Sequence, residues 1–273
     1  MLNLFISVFF SICIANLLKL YQKHSNVNFL NIFIGNYFIA SIFSIIQNKL
    51  SFTLILHWDI ILAIFNGVLF LLSFYVFQKN IKVNGISLSV SIMRIALIIP
   101  TFLSVIVFNE LINSYKYYVI GILLISILFL SKHDKQINPL WLFLLFILSG
   151  IIDFSMKIFD IYGINSSSMF LFILFFSALI TDLLIIIFKK IRFSTRDFIN
   201  GMILGVPNQL TSLYLLKALS QIPGTIVYPV HASSIIVFSI LSDLIIWKER
   251  LPLKKLVLFS IIVLCIIILN IKA

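Results

Sequence analysis

Apolar runs of roughly 20 residues, with no polar alternation inside them, follow one another along the whole chain and are separated by short polar stretches. Wound as an α-helix, a run of that length matches the hydrocarbon thickness of a bilayer. Lipid offers backbone N–H and C=O groups no partners, so a spanning segment is either a helix or a strand of a closed barrel. Barrel strands alternate apolar and polar residues at period two, and these runs do not. The chain therefore reads as an all-α integral membrane protein. Its composition is 62% hydrophobic and 11% charged, with a mean hydropathy of +1.17. A soluble domain is about half apolar and about a quarter charged. The expected location is the inner (plasma) membrane, multi-pass, with the lipid bilayer as solvent.

Polar punctuation cuts the chain into ten expected spans, near 2–20, 29–47, 59–78, 85–109, 114–131, 139–158, 166–189, 197–218, 223–246 and 252–271. Lys79-Asn80 to Asn84-Gly85 reads as a turn, as does Gln221-Ile222-Pro223-Gly224. Pro139, Pro223 and Pro252 fall at or near helix starts, where a missing N–H costs nothing. Cys13 and Cys265 both lie in apolar runs and read as packing residues without a disulfide framework. Residues 2–18 have no basic segment before them and are followed by Lys19 and Lys23, so the first run is expected to remain as a helix.

Sliding the sequence against itself by 139 positions brings Ser73 and Tyr75 onto Ser212 and Tyr214, Gly85 onto Gly224, and Glu110 onto Glu249. One register holds across these rarer residue types, which points to an internal repeat of five helices: residues 1–135 and 136–273. Five is odd, so consecutive copies enter the membrane in opposite orientations. The expected fold is ten transmembrane helices in two inverted five-helix repeats. Inverted repeats of this kind characterise transporters whose site lies at the repeat interface near mid-membrane.

Tyr228-Pro229-Val230 leads through an apolar helix to Trp247-Lys248-Glu249-Arg250-Leu251, after which a last helix begins near Pro252. The first half carries the weaker form Phe108-Asn109-Glu110-Leu111. This resembles the EamA family of the drug/metabolite transporter superfamily, in which a Pro-Val pair precedes a Gly-Glu-Arg-like corner and a final apolar helix. The resemblance implies ten helices, two repeats, and a central cavity formed by helices three, four, eight and nine. There are departures. The glycine usual before the Glu is Asn109 in one half and Lys248 in the other, and Val90 stands opposite Pro229.

Arg94 lies about nine residues into the fourth run, so about 13 Å deep at the helical rise. An intramembrane charge is expensive and marks a functional site by default. Arginine grips a carboxylate or phosphate through two parallel N–H donors. Alternatively, Arg94 forms a buried ion pair with Asp153 or Asp182. Ser87 and Ser91 share its helix face at steps of four and three. Tyr228, His231 and Ser234 repeat at steps of three in the matching ninth helix, and the His231 imidazole can carry a proton. Asn66 in helix three and Asn208-Gln209 in helix eight are near-equivalent across the repeat. Each of these groups has a plainer reading as interhelical packing. Glu110 and Glu249 read either as coupling carboxylates or as acids favoured by the dipole at the start of the following helix. Lys19 and Lys157 read as snorkelling lysines.

No Gly-x-Ser-x-Gly elbow, His-Glu-x-x-His, phosphate-binding glycine loop or Cys cluster is present, so the chain does not read as an enzyme, and no cofactor or metal is expected. The net charge of +11 is spread over short loops and does not suggest nucleic acid. The expected function is secondary transport of a small molecule, driven by a coupling ion or an exchanged metabolite. A flippase of lipid or lipid-linked sugar and a membrane-embedded enzyme on lipid-linked substrates are the alternatives. Fourteen Lys and Arg follow odd-numbered helices and five follow even-numbered ones. The positive-inside rule then places both termini outside the cytoplasm, whereas family members are usually drawn with both inside.

Overall fold

A computed structural model describes residues 1–22, 27–48, 57–84, 86–110, 113–130, 138–246, 248 and 253–270. Among these there is no strand. The helices are α1 (Leu2–Gln22), α2 (Phe29–Gln47), α3 (Trp58–Asn84), α4 (Ile86–Ile95), α5 (Ile98–Phe108), α6 (Ser114–Leu130), α7 (Pro139–Tyr162), α8 (Ser167–Phe188), α9 (Thr195–Leu219), α10 (Gly224–Ile245) and α11 (Leu253–Asn270). Six of them, α1, α2, α3, α7, α8 and α10, are long and apolar enough to cross a bilayer. The chain is thus an all-helical protein of the multi-pass membrane type. Cys13 and Cys265 are free.

Two expectations are corrected. The fourth run, expected as one helix over 85–109, is broken into α4 and α5. Pro100 has no N–H to give the carbonyl of Ala96, and its ring crowds that carbonyl. The chain tightens there instead, with the Leu97 N–H donating to the Arg94 carbonyl at 3.3 Å. The expected turn at 79–84 is helix, because α3 runs on to Asn84. Its asparagines act through their side chains rather than as turn formers. Asn84 Nδ2 donates to Asn80 Oδ1 one turn earlier at 2.7 Å and to the Asn138 carbonyl at 3.2 Å. Asn84 Oδ1 accepts the Asn138 N–H at 2.7 Å, and Asn80 donates to the Trp141 carbonyl. The pair thereby anchors the start of α7.

The helices group into two compact units, each drawing on both sequence halves. One holds residues 1–72 and 158–220, the other 73–157 and 221–273. In the first, α2 packs on α8 and α9, and α1 on α9. Two aspartates at helix starts organise it. The Asp59 carboxylate accepts the N–H groups of Ile164 and Asn165, each at 3.0 Å, just ahead of α8. Asp197, 138 residues later, accepts the N–H of Asn28 at 3.0 Å, just ahead of α2. Asn28 and Ser166, also 138 apart, are the N-caps of α2 and α8, and both side chains accept a backbone N–H of the first turn. Gly67 and Gly205, again 138 apart, allow close helix crossings. A Cβ on Gly67 would strike the Leu174 carbonyl and Ser177 Oγ, and one on Gly205 would strike the Asn36 carbonyl and the Ile39 side chain.

In the second unit, α5 and α4 pack on α10, and α6 packs on α11. Asn109 and Lys248, 139 residues apart, both adopt the left-handed region, at φ 53° and 52°. Glycine is at home there and lysine is not. Glu249, Pro252 and the rest of the Trp247–Pro252 corner apart from Lys248 lie outside the described residues.

Candidate functional site

Arg94 sits in the last turn of α4, eight residues from its start and about 12 Å along it. The helix ends there because of Pro100, and a cation is favoured beside the terminal carbonyls of a helix. The side chain is part-accessible, and its Nε is buried without a hydrogen-bond partner among the described residues. Asp153, in the middle of α7, is within electrostatic range and is also part-accessible. Among the described residues the two side chains form no ion pair at 4 Å or less. Asp182, the other partner considered for Arg94, belongs to the first unit.

Helix α10 supplies the third side of this group. Tyr228, fully buried, donates from Oη to the Asp153 carbonyl oxygen at 2.7 Å. His231, one turn on, is buried and within electrostatic range of Arg94. Ser234 is buried a further turn along. Pro229 lies inside α10 between Tyr228 and His231, so the Thr225 carbonyl has no N–H to accept from residue 229. Proline thus breaks the fourth run into α4 and α5 after Arg94, while α10 carries Pro229 inside a continuous helix. Interrupted helices are tolerated in a membrane where they line a polar site.

Asn66, Asn208 and Gln209 are buried in the first unit, not the second. Asn208 Nδ2 donates to Asn36 Oδ1 at 3.1 Å, and Gln209 exchanges reciprocal amide bonds with Gln47 at 2.7 and 3.3 Å. These amides fasten α9 to α2. Ser87 and Ser91 lie on α4, with their side chains outside the described residues. The sequence-derived set therefore divides: Arg94, Tyr228, His231 and Ser234 share one unit with Asp153, while the three amides lie in the other.

Lys157 does not snorkel. It is 3% exposed, and its Nζ lies 2.9 Å from Glu110 Oε1. Glu110 Oε2 accepts the Thr225 N–H at 3.2 Å, so the acid serves the N-terminus of α10 and not that of the helix following it in sequence. This triad was hidden in the sequence because its three members come from distant segments.

No family model matches the chain. It is similar to an uncharacterized protein of Haemophilus influenzae, 26% identical over 267 residues, which cover 91% of this chain and 90% of that one. It is also similar to a protein of known crystal structure, with a TM-score of 0.78 over 99% of both chains at 10% identity. That likeness shows a shared fold across the whole chain.

Proposed function

We propose that the chain is a secondary transporter of a small solute carrying an anionic group, built as an EamA-like pair of inverted five-helix repeats and working by alternating access. The observation that carries this reading is Arg94, a part-accessible guanidinium at a proline-broken helix end, whose buried Nε has no partner among the described residues and which lies within electrostatic range of Asp153 and His231. A guanidinium supplies a planar, bidentate grip on a carboxylate or phosphate. A buried donor without a partner is costly unless something else occupies it.

The repeat reading is supported by contacts that recur at fixed spacing. Asp59 and Asp197, Asn28 and Ser166, and Gly67 and Gly205 do the same work 138 residues apart. Asn109 and Lys248 share a rare backbone conformation at a spacing of 139. Helices of equal rank in the two halves also pack on each other: second on seventh, fourth on ninth, fifth on tenth. Five helices per repeat impose the inversion, and inverted repeats of this type place a site beside broken helices.

The test is uptake into proteoliposomes from a library of carboxylated and phosphorylated metabolites, comparing wild type with Arg94→Lys and Arg94→Gln. Loss of uptake by tenfold or more in both variants, with normal membrane yield, is the expected result. Undiminished uptake in Arg94→Gln removes Arg94 from the site. Turnover of a lipid-linked substrate without vectorial movement overturns the transport reading.

A further inference from the structure

Asp182 is a further charge-bearing residue within an apolar helix, remote in sequence from the Arg94 group and in the other unit. It lies six residues before the end of α8, about 9 Å in from that end. Its side chain is 0% exposed, and both carboxylate oxygens are buried without a hydrogen-bond donor among the described residues. Among the described residues no cation pairs with it. Helix α2 has no Asp, Glu, Lys or Arg, and its Tyr37 is buried. Helix α9 carries Arg196, which is exposed, and Asp197, which is engaged by the Asn28 N–H, in its first turn, with Lys217 in its last. The part of α3 in this unit carries Asp59, engaged at the opposite end of α8.

A fully buried carboxylate without a hydrogen-bond donor or counter-charge is one of the most expensive groups a membrane protein can hold. The neutral acid removes most of that cost. It keeps one O–H donor and acceptor capacity, and needs only a proton taken up from water. A structural role alone would be met by asparagine, which is isosteric and always neutral.

We propose that Asp182 is a membrane-embedded proton-binding site: it holds a proton in this conformation and exchanges it with bulk water when α8 becomes hydrated. In the exchange step the carboxyl O–H bond breaks, the proton passes to a water molecule as hydronium, and the carboxylate keeps the electron pair. As the coupling site of the transporter, its role rests on the transport reading. As a proton site it does not.

Infrared difference spectra of purified wild type minus Asp182→Asn test the site without a substrate. The expected result is a protonated-carboxyl C=O stretch present in wild type, absent from the variant, and shifted in D2O as the site exchanges. An unchanged band region in Asp182→Asn means that the group is ionised and overturns the proposal. A band that never shifts in D2O marks a locked structural proton and overturns it equally. In proteoliposomes, a pH gradient should drive accumulation by wild type, while Asp182→Asn should only equilibrate solute across the membrane. Gradient-driven accumulation by Asp182→Asn overturns the coupling role. Absence of uptake by wild type counts against transport alone, and the infrared result then still decides the proton site.

Discussion

Lys157 Nζ lies 2.9 Å from Glu110 Oε1 in a setting where the lysine side chain is 4% and the glutamate 15% exposed. The second oxygen of the same carboxylate receives the Thr225 N–H, and Gly224 brings the backbone close enough that an added Cβ would meet Ser104 Oγ at 2.7 Å. One acid thus joins the end of α5, the end of the second-unit part of α7 and the start of α10. Removing one member of a buried pair leaves the other charge uncompensated, at a cost of about 3–5 kcal/mol. Lys157→Met should therefore destabilise the detergent-solubilised protein by about 3 kcal/mol. The double variant Lys157→Met, Glu110→Gln should recover most of that loss, because Gln Oε1 can still accept the Thr225 N–H. Thermal unfolding of the two variants checks this, and additive losses would contradict it.

Lys248 is exposed and sits at φ 52°. The left-handed region costs a residue bearing a Cβ roughly 1–2 kcal/mol. Lys248→Gly should raise stability by about 1 kcal/mol. Asn109→Gly, at φ 53°, should gain less, since asparagine visits this region more readily. Denaturation midpoints of the two variants, measured side by side, check the order.

Pro100 sets the break after Arg94. Pro100→Ala supplies an N–H that can replace the 3.0 Å bond now made to the Ala96 carbonyl by the Ile99 N–H, and so restores the α-helical pattern. The variant should be at least as stable as wild type and yet slower in uptake, because a continuous helix moves Arg94 off its present heading. Wild-type uptake rates in Pro100→Ala would separate the break from function.

Orientation follows from charge. Lys157 is inside a salt bridge, so the loop count becomes fourteen basic residues against four. The positive-inside rule then predicts the segment after α8 in the cytoplasm and the segment after α2 and the C-terminus outside. Alkaline phosphatase fused after Asn48 or at the C-terminus should be active, and a cytoplasm-maturing fluorescent protein fused after Lys190 should be bright. The ends of α2 and α8 hold equal rank in the two halves, so reporters on the same side at Asn48 and Lys190 would also reject the inversion. A bright C-terminal fluorescent fusion would restore the orientation usual in the resembled family.

Much of the fold was legible because the constraints on it are local. Hydrocarbon thickness and the need to satisfy every backbone group fix helix length, so α2 spans the same 29–47 that the sequence indicates and α7 starts at Pro139. Arg94 stands out for the same reason: a charge deep in an apolar run is visible without knowing its neighbours. The expectation of a repeat rests on a 139-residue register of Ser73, Tyr75, Gly85 and Glu110, whereas the like contacts of residues 138 apart, Asp59 with Asp197, Gly67 with Gly205 and Asn28 with Ser166, are visible only in the folded chain.

Tertiary structure decided the partners. Asn80 and Asn84 carry turn-forming side chains, and only the start of α7 against them makes them helix residues with a bridging role. Asn208 and Gln209 are spoken for by Asn36 and Gln47, more than 160 residues away. Lys157 is paired rather than snorkelling because Glu110 and α10 close over it. Helix formation in lipid is driven by backbone hydrogen bonds within a segment, whereas the choice of neighbour rests on close packing and a few polar contacts between segments far apart in the chain. Apolar runs so alike in composition carry almost no code for that choice, so it is made only when the helices meet.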